Sequence, residues 1–198
     1  MVHFCSARWY IFTPPFTEEQ LGRDLGVSRT PLRDAINALA KDGFVRVEPR
    51  RGASVRDFQL RDLIEVYDIR IALEGLAAKL AAGKINHDVL ERLADEFKNN
   101  DARKLLKADT SLHQIVIESC NNVKLRGMLT NLGNLVQVFR TAGYRSTTRS
   151  KSATVYHIKI VKALMNRDGS EAERLMREHI EKTKNEIINE FQAKADNS

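Results

Sequence analysis

The chain has little in it that would staple or break a fold. Two cysteines, Cys5 and Cys120, among 198 residues cannot build a disulfide framework, and that scarcity makes a reducing cytoplasm the expected compartment. Only four prolines and ten glycines are present, and no proline occurs from residue 60 to 192. No apolar run approaches the roughly 18–20 residues of a membrane-spanning helix, so no membrane partner is expected. The stretch Met1 to Phe16 lacks the charged start and long apolar centre of a signal peptide. Charge and apolar residues are not scarce. At 42% hydrophobic and 29% charged, the composition excludes wholesale disorder. The formal net charge of +6 permits a nucleic-acid partner without demanding one.

Four stretches differ in texture. Residues 1–16 are aromatic and irregular, and end in a Pro-Pro pair followed by Phe16. Residues 17–58 hold short elements punctuated by Gly26, Pro31, Gly43, Pro49 and Gly52. Residues 59–192 repeat apolar positions at helical spacing, and 193–198 form a polar tail. The expected fold class is mainly α, a small N-terminal domain joined directly to a larger all-helical antiparallel bundle.

In the small domain Thr17 reads as an N-cap with Gln20 as its reciprocal partner, and Phe16 and Leu21 stand where a hydrophobic staple forms. Gly26 suits a left-handed helix end. Ser28 then starts a second helix to about Lys41, with Pro31 tolerated in its first turn. Leu32, Ala35, Ile36 and Leu39 make its expected core stripe, while Arg29, Arg33 and Asn37 share another face with Thr30 beside them. Two short helices joined tightly, the second presenting Arg and Thr at its start, form a helix-turn-helix pattern. Phe44 to Glu48 and Ala53 to Arg56, joined through Pro49-Arg50-Arg51-Gly52, read as a β-hairpin with a basic tip. Between 28 and 56, seven basic residues face three acidic ones. A solvated helical hairpin is the bland alternative; that excess favours DNA. The candidate DNA-contacting residues are Ser28, Arg29, Thr30, Arg33 and Asn37 on the helix and Arg50, Arg51 and Gly52 at the wing.

The segment LGRDLGVSRTPLRDAINALAKDGFVRVEPRRG, Leu21 to Gly52, resembles the winged helix-turn-helix of the GntR family of bacterial transcription regulators. The resemblance places Arg29, Thr30 and Arg33 on the recognition helix and Arg51-Gly52 on the wing. In that family a further helix and a short lead-in precede the helix that begins here at Thr17. Met1 to Phe16 resembles none of that, as though the first helix were missing or replaced.

In the larger domain a helix from about Leu60 to Ala82 carries the stripe Leu63, Val66, Arg70, Leu73, Ala77 and Leu80. Arg70 within that seam is either paired with a carboxylate such as Glu74 or placed to receive an anionic ligand. On a helix near 103–120, Asp109, His113, Val116, Ile117 and Cys120 align. His157 aligns with Ile160, Val161 and Leu164, and His179 with Leu175, Met176 and Ile187. Three histidines and an aspartate on core-facing stripes make either a hydrogen-bonded cluster or a metal site. Three nitrogens and one oxygen suit a divalent ion, zinc first, with nickel or manganese as alternatives. The polar segment 143–153 reads as a loop.

The segments LIEVYDIRIALEGLAAKLAA, DTSLHQIVIESCNN and YHIKIVKALMNRDGSEAERLMREHI resemble the FCD effector domain of FadR-type GntR regulators. The resemblance implies a divalent metal held by Asp109, His113, His157 and His179 at the base of a pocket for a small carboxylate. It makes Arg70 a candidate to grip that carboxylate; Arg140, four residues past Val136 on another apolar stripe, is a second candidate. It further implies a homodimer that binds double-stranded DNA at two half-sites. A metalloenzyme would need a catalytic acid or base beside an open metal position; no His-Glu-x-x-His, nucleophile elbow or phosphate loop is present. The remaining alternative is a ligand or metal sensor whose DNA-binding head is impaired.

Overall fold

The computed structural model describes residues 16–48, 52–56, 59–143 and 147–196. It divides into two compact units, the first reaching Leu60 and the second built from Arg61–Phe191. The described residues form eight helices and one two-stranded sheet. Residues 1–15, where the sequence suggests an absent or replaced first helix, lie outside the described residues.

The first unit begins with Phe16, whose backbone pairs with Ala53 through two hydrogen bonds of 2.8 and 2.9 Å. Helix α1 (Glu18–Leu25) is started by the expected capping box, in which the Gln20 amide donates to Thr17 Oγ1 at 3.2 Å. It stops at Gly26 with φ +67°. Helix α2 (Arg29–Lys41) follows, then strands β1 (Val45–Glu48) and β2 (Gly52–Val55), paired antiparallel with Val45 opposite Val55 and Glu48 opposite Gly52. Gly52 has φ +92°, and a Cβ there would lie 2.4 Å from the Phe16 carbonyl oxygen. Glycine is therefore required on both backbone and steric grounds. Leu32, Ile36, Val45 and Ala53 form the core, with Phe16, Leu21 and Phe44 packed against it. The expected α2 stripe is only half realised. Ala35 is exposed and Leu39 is 45% exposed, because α1 and the hairpin cover a single narrow side of α2.

The second unit runs α3 (Leu60–Ala81), α4 (His87–Glu96), α5 (Ala102–Ser119), α6 (Val123–Gly143), α7 (Thr147–Met165) and α8 (Gly169–Asp196). Asn86 and Asp101 cap α4 and α5, Asp101 accepting from the Arg103 amide at 2.7 Å. Helices α3 and α8 run antiparallel, since Asp68 meets Lys184 at 2.7 Å and Lys79 meets Glu173 at 3.0 Å. One backbone contact between them depends on glycine: a Cβ on Gly169 would sit 2.8 Å from the Lys79 carbonyl oxygen.

Two expectations are corrected here. The stripe assigned to α3 mixes two faces. Leu63, Arg70 and Ala77 are buried together with Tyr67, Glu74, Ala78 and Ala81, whereas Val66, Leu73 and Leu80 are only half-buried. The segment 143–153 is helical from Thr147 onward. It contains no proline, and polarity alone does not separate a solvated helical turn from a loop.

Candidate functional site

Each unit carries its own cluster of chemistry. In the first, Ser28, Arg29, Thr30, Arg33 and Asn37 are all exposed on α2. Ser28 is the N-cap residue, yet its side chain makes no capping hydrogen bond. The reason is local: the third position of the helix is Pro31, which has no N–H to offer. The Ser28 hydroxyl is thus not used to hold its own helix. Arg33 is held by Glu18 of α1 in a two-point contact, Nε to Oε1 at 3.0 Å and a terminal nitrogen to Oε2 at 3.1 Å. Arg29 approaches Glu19 at 3.9 Å. Both ion pairs lie in solvent, where such contacts are weak. Gly52 opens β2 at the wing, while Arg50 and Arg51 lie outside the described residues.

In the second unit, three helices bring Asp109 and His113 (α5), His157 (α7) and His179 (α8) to one point, all buried. One ligand atom from each lies within 4.8 Å of the others. His157 Nε2 stands 2.9 Å from Asp109 Oδ1 and 3.2 Å from His179 Nε2, and His113 Nε2 stands 3.5 Å from the same Asp109 oxygen. Donors bound at about 2.1 Å to one ion lie roughly 3.0–3.4 Å apart when adjacent, so these separations fit a shared divalent ion. Burial, with the charges of His157, His113 and Arg70 added, holds the His179 pKa well below its usual value. The imidazole is therefore kept neutral, the form that binds metal.

The surroundings of the cluster are as ordered as the cluster. His113 Nδ1 meets Glu74 Oε2 in a short contact, which fixes the ring and turns Nε2 toward the other three residues. Glu74 in turn accepts from Arg70 Nε at 2.6 Å, both side chains being about 5% exposed. Burial pushes the Glu74 carboxyl up, but the charges of Arg70 and His113 outweigh it and hold the group ionised, well below the ordinary carboxylate range. Arg70 also lies over the Tyr67 ring at 4.8 Å, and Phe97 stacks on His157 with centroids 4.7 Å apart. A cavity of about 280 Å3 opens beside this chain of charges, lined by Arg70, Glu74, His113, Thr110, Gln114 and Thr130 among others.

Of the residues singled out in the sequence, the four proposed ligands converge. Arg70 borders the cavity with its Nε engaged by Glu74. Arg140 lies on α6, but its side chain falls outside the described residues. The Glu74 contact with His113 and the Phe97 stack were not anticipated. The spacing of four residues already offers Glu74 as the partner of Arg70, but the contact of Glu74 with a histidine 39 residues away leaves no mark in local periodicity.

Comparison with known proteins agrees with this division. Residues 65–182 match the FCD domain and residues 15–55 match the family described as bacterial regulatory proteins, gntR family. The HTH-type transcriptional regulator YcbG of Bacillus subtilis is 30% identical over 87% of this chain and 79% of its own length. The Nta operon transcriptional regulator of Aminobacter aminovorans is 27% identical over 90% and 88% respectively. Among solved structures, E. coli McbR/YncC superposes with a TM-score of 0.69 at 18% identity, covering 89% of this chain and 87% of that one, a likeness of fold. No helix among the described residues is long and apolar enough to cross a membrane. The chain belongs to the GntR family and is a transcription regulator with an FCD effector domain, not an enzyme.

Proposed function

We propose that the protein is a cytoplasmic, homodimeric regulator that binds a two-half-site operator and senses a small organic acid in a metal-containing helical pocket. The observation that carries this reading is the buried Asp109, His113, His157 and His179 cluster beside a cavity bordered by His113 and Arg70. The cavity, at about 280 Å3, lies at the small end of ligand pockets, which run to roughly 1,000 Å3. A small acid fits that size better than a nucleotide. Asp109, His113, His157 and His179 would hold the ion, zinc or a first-row relative such as nickel or manganese, which supplies positive charge for a carboxylate. That supply matters because Arg70 is largely neutralised by Glu74. Arg70 and Arg140 are the proposed organic contacts to the acid.

In the other unit, Ser28, Arg29, Thr30, Arg33 and Asn37, with Arg50, Arg51 and Gly52 of the wing, are the proposed DNA contacts. Arg33 is pre-oriented by Glu18, and its weak exposed pair can be exchanged for a phosphate or a guanine edge. Acid binding would shift the balance between two arrangements of the dimer and so the fit to the operator. The test is selection from a random duplex pool by the metal-loaded full chain at near-physiological salt, where non-specific binding is weak. Enrichment of a two-fold repeat is expected, and a panel of small carboxylic acids should then change its affinity. A folded, metal-loaded chain that enriches nothing would leave a sensor without a working DNA-binding head.

A further inference from the structure

In the first unit the two arginines at the start of α2 do not stand alone. Glu18 and Glu19 open the first turn of α1, and each faces one of them. Arg33 gives Glu18 its Nε–H and one terminal N–H, at 3.0 and 3.1 Å; Arg29 reaches Glu19 at 3.9 Å. Both pairs border one hollow of about 430 Å3 between α1, α2 and the hairpin, which Glu48 of β1 also lines. Its described lining therefore holds two positive and three negative side chains, although the segment 28–56 is basic by count. The hydrogen bonds from Arg33 hold the Glu18 carboxyl below its ordinary range, so it carries its charge at neutral pH. A guanidinium has five N–H donors, of which Glu18 takes two. Three remain, including the pair across the two terminal nitrogens that can meet N7 and O6 of guanine.

We propose that Glu18 and Glu19 set the sequence selectivity of this unit, cancelling the arginine charge toward phosphate while leaving arginine donors for base edges. This rests on the DNA-contact reading above and gives a role to two residues outside it. The pairs are exposed and open cheaply. The carboxylates nevertheless stay on α1, beside any phosphate that displaces them, and like charges set together at an interface are costly. Contact with an arbitrary backbone therefore gains little from Arg29 and Arg33. A guanine edge brings acceptors without a formal charge, so Arg33 can read it with the Glu18 pair still closed. Non-specific binding draws on phosphate charge, whereas discrimination draws on base contacts. The glutamates weaken the first and spare the second. Acidic residues in a first helical turn also suit the helix dipole. That benefit is the same whichever duplex is bound, so a comparison of duplexes separates the two roles.

The test is fluorescence anisotropy of the metal-loaded full chain against its selected operator and a scrambled duplex of equal length, over a range of salt concentrations. Helicity by circular dichroism is recorded for each variant. E18Q and E19Q should each raise affinity for the scrambled duplex by about 10-fold near 0.1 M salt and steepen its salt slope by about 1. Operator affinity should change by less than about 3-fold, so E18Q/E19Q should lose about 10–100-fold in selectivity. D24N removes an equal charge from the last turn of α1 and should change either affinity by less than about 3-fold, being screened from the hollow. Equal gains on both duplexes, or a scrambled-duplex affinity that E18Q/E19Q leaves unchanged or lowers, would overturn the selectivity role while sparing the DNA-contact reading. A gain from D24N matching that from E18Q would reduce the effect to net charge and overturn the assignment to these two residues. A wild type that prefers neither duplex would overturn both readings.

Discussion

Two arginine–glutamate pairs, one in each unit, have similar geometry and opposite settings. Arg33 and Glu18 meet at 3.0 Å with side chains 65% and 32% exposed; Arg70 and Glu74 meet at 2.6 Å with both about 5% exposed. In water the first pair contributes little and can be given up cheaply to a competing anion. The second cannot be opened without leaving a charge in a low-dielectric interior. The difference follows from packing. The first unit has four buried residues in its described core, so α2 keeps most of its polar surface in solvent. The second buries ionisable side chains from four helices against one another. Exposed charge suits reversible contact with nucleic acid, and buried charge suits a fixed, preorganised centre.

The sharpest way to break this comparison is to cut each pair. Glu74→Ala should destabilise the second unit by about 3–5 kcal/mol, because the buried Arg70 charge loses the Glu74 carboxylate that faces it, and lower the melting midpoint on the order of 10 °C. Glu18→Ala should leave the midpoint unchanged. Equal effects in calorimetry would erase the distinction. Next in size is DNA binding. Arg33→Ala should weaken operator affinity by about 10–100-fold and reduce the slope against salt by about 1, while Arg70→Ala should leave the salt slope as it is.

Acid should separate the units as well. Glu74 is held ionised in the folded state below its unfolded pKa of about 4.3, so its stabilisation is present above that pH and is lost as the pH falls further. His179 is held neutral, so below about 6.5 the unfolded chain takes up a proton that the folded chain refuses. Both signs agree. The chelated protein should lose stability progressively from about pH 7 downward in thermal melts. The smallest contrast lies at the helix caps. Thr17→Ala should cost about 1 kcal/mol through its capping box, whereas Ser28→Ala, with no capping bond to lose, should alter DNA affinity alone.

Much of this is legible in the sequence alone. The capping box at Thr17, the Gly26 stop and the hairpin from Val45 to Val55 are local devices, and local chemistry determines them. The four proposed ligands could be selected because a polar residue at a core-facing helical position is conspicuous. Helix α3 was harder. Its buried face and a half-exposed apolar face lie side by side, so a single apolar period runs across both and misplaces Val66, Leu73 and Leu80. Ala35 and Leu39 failed for another reason: periodicity tells which side of α2 is apolar but not how much neighbouring structure covers it. The link from Arg70 through Glu74 to His113 joins residues distant in sequence, and only tertiary packing creates it.

The central claim is that Asp109, His113, His157 and His179 form a metal centre within the sensing unit. Its most direct test is zinc content and affinity of the full chain after exhaustive dialysis, measured for wild type and for H157A/H179A with helicity checked. One ion per wild-type chain, a fall in melting midpoint on chelation, and loss of both in the variant are expected. A wild type that retains no zinc, nickel or manganese and melts identically with and without chelator would contradict it, leaving the four residues as a buried hydrogen-bonded cluster.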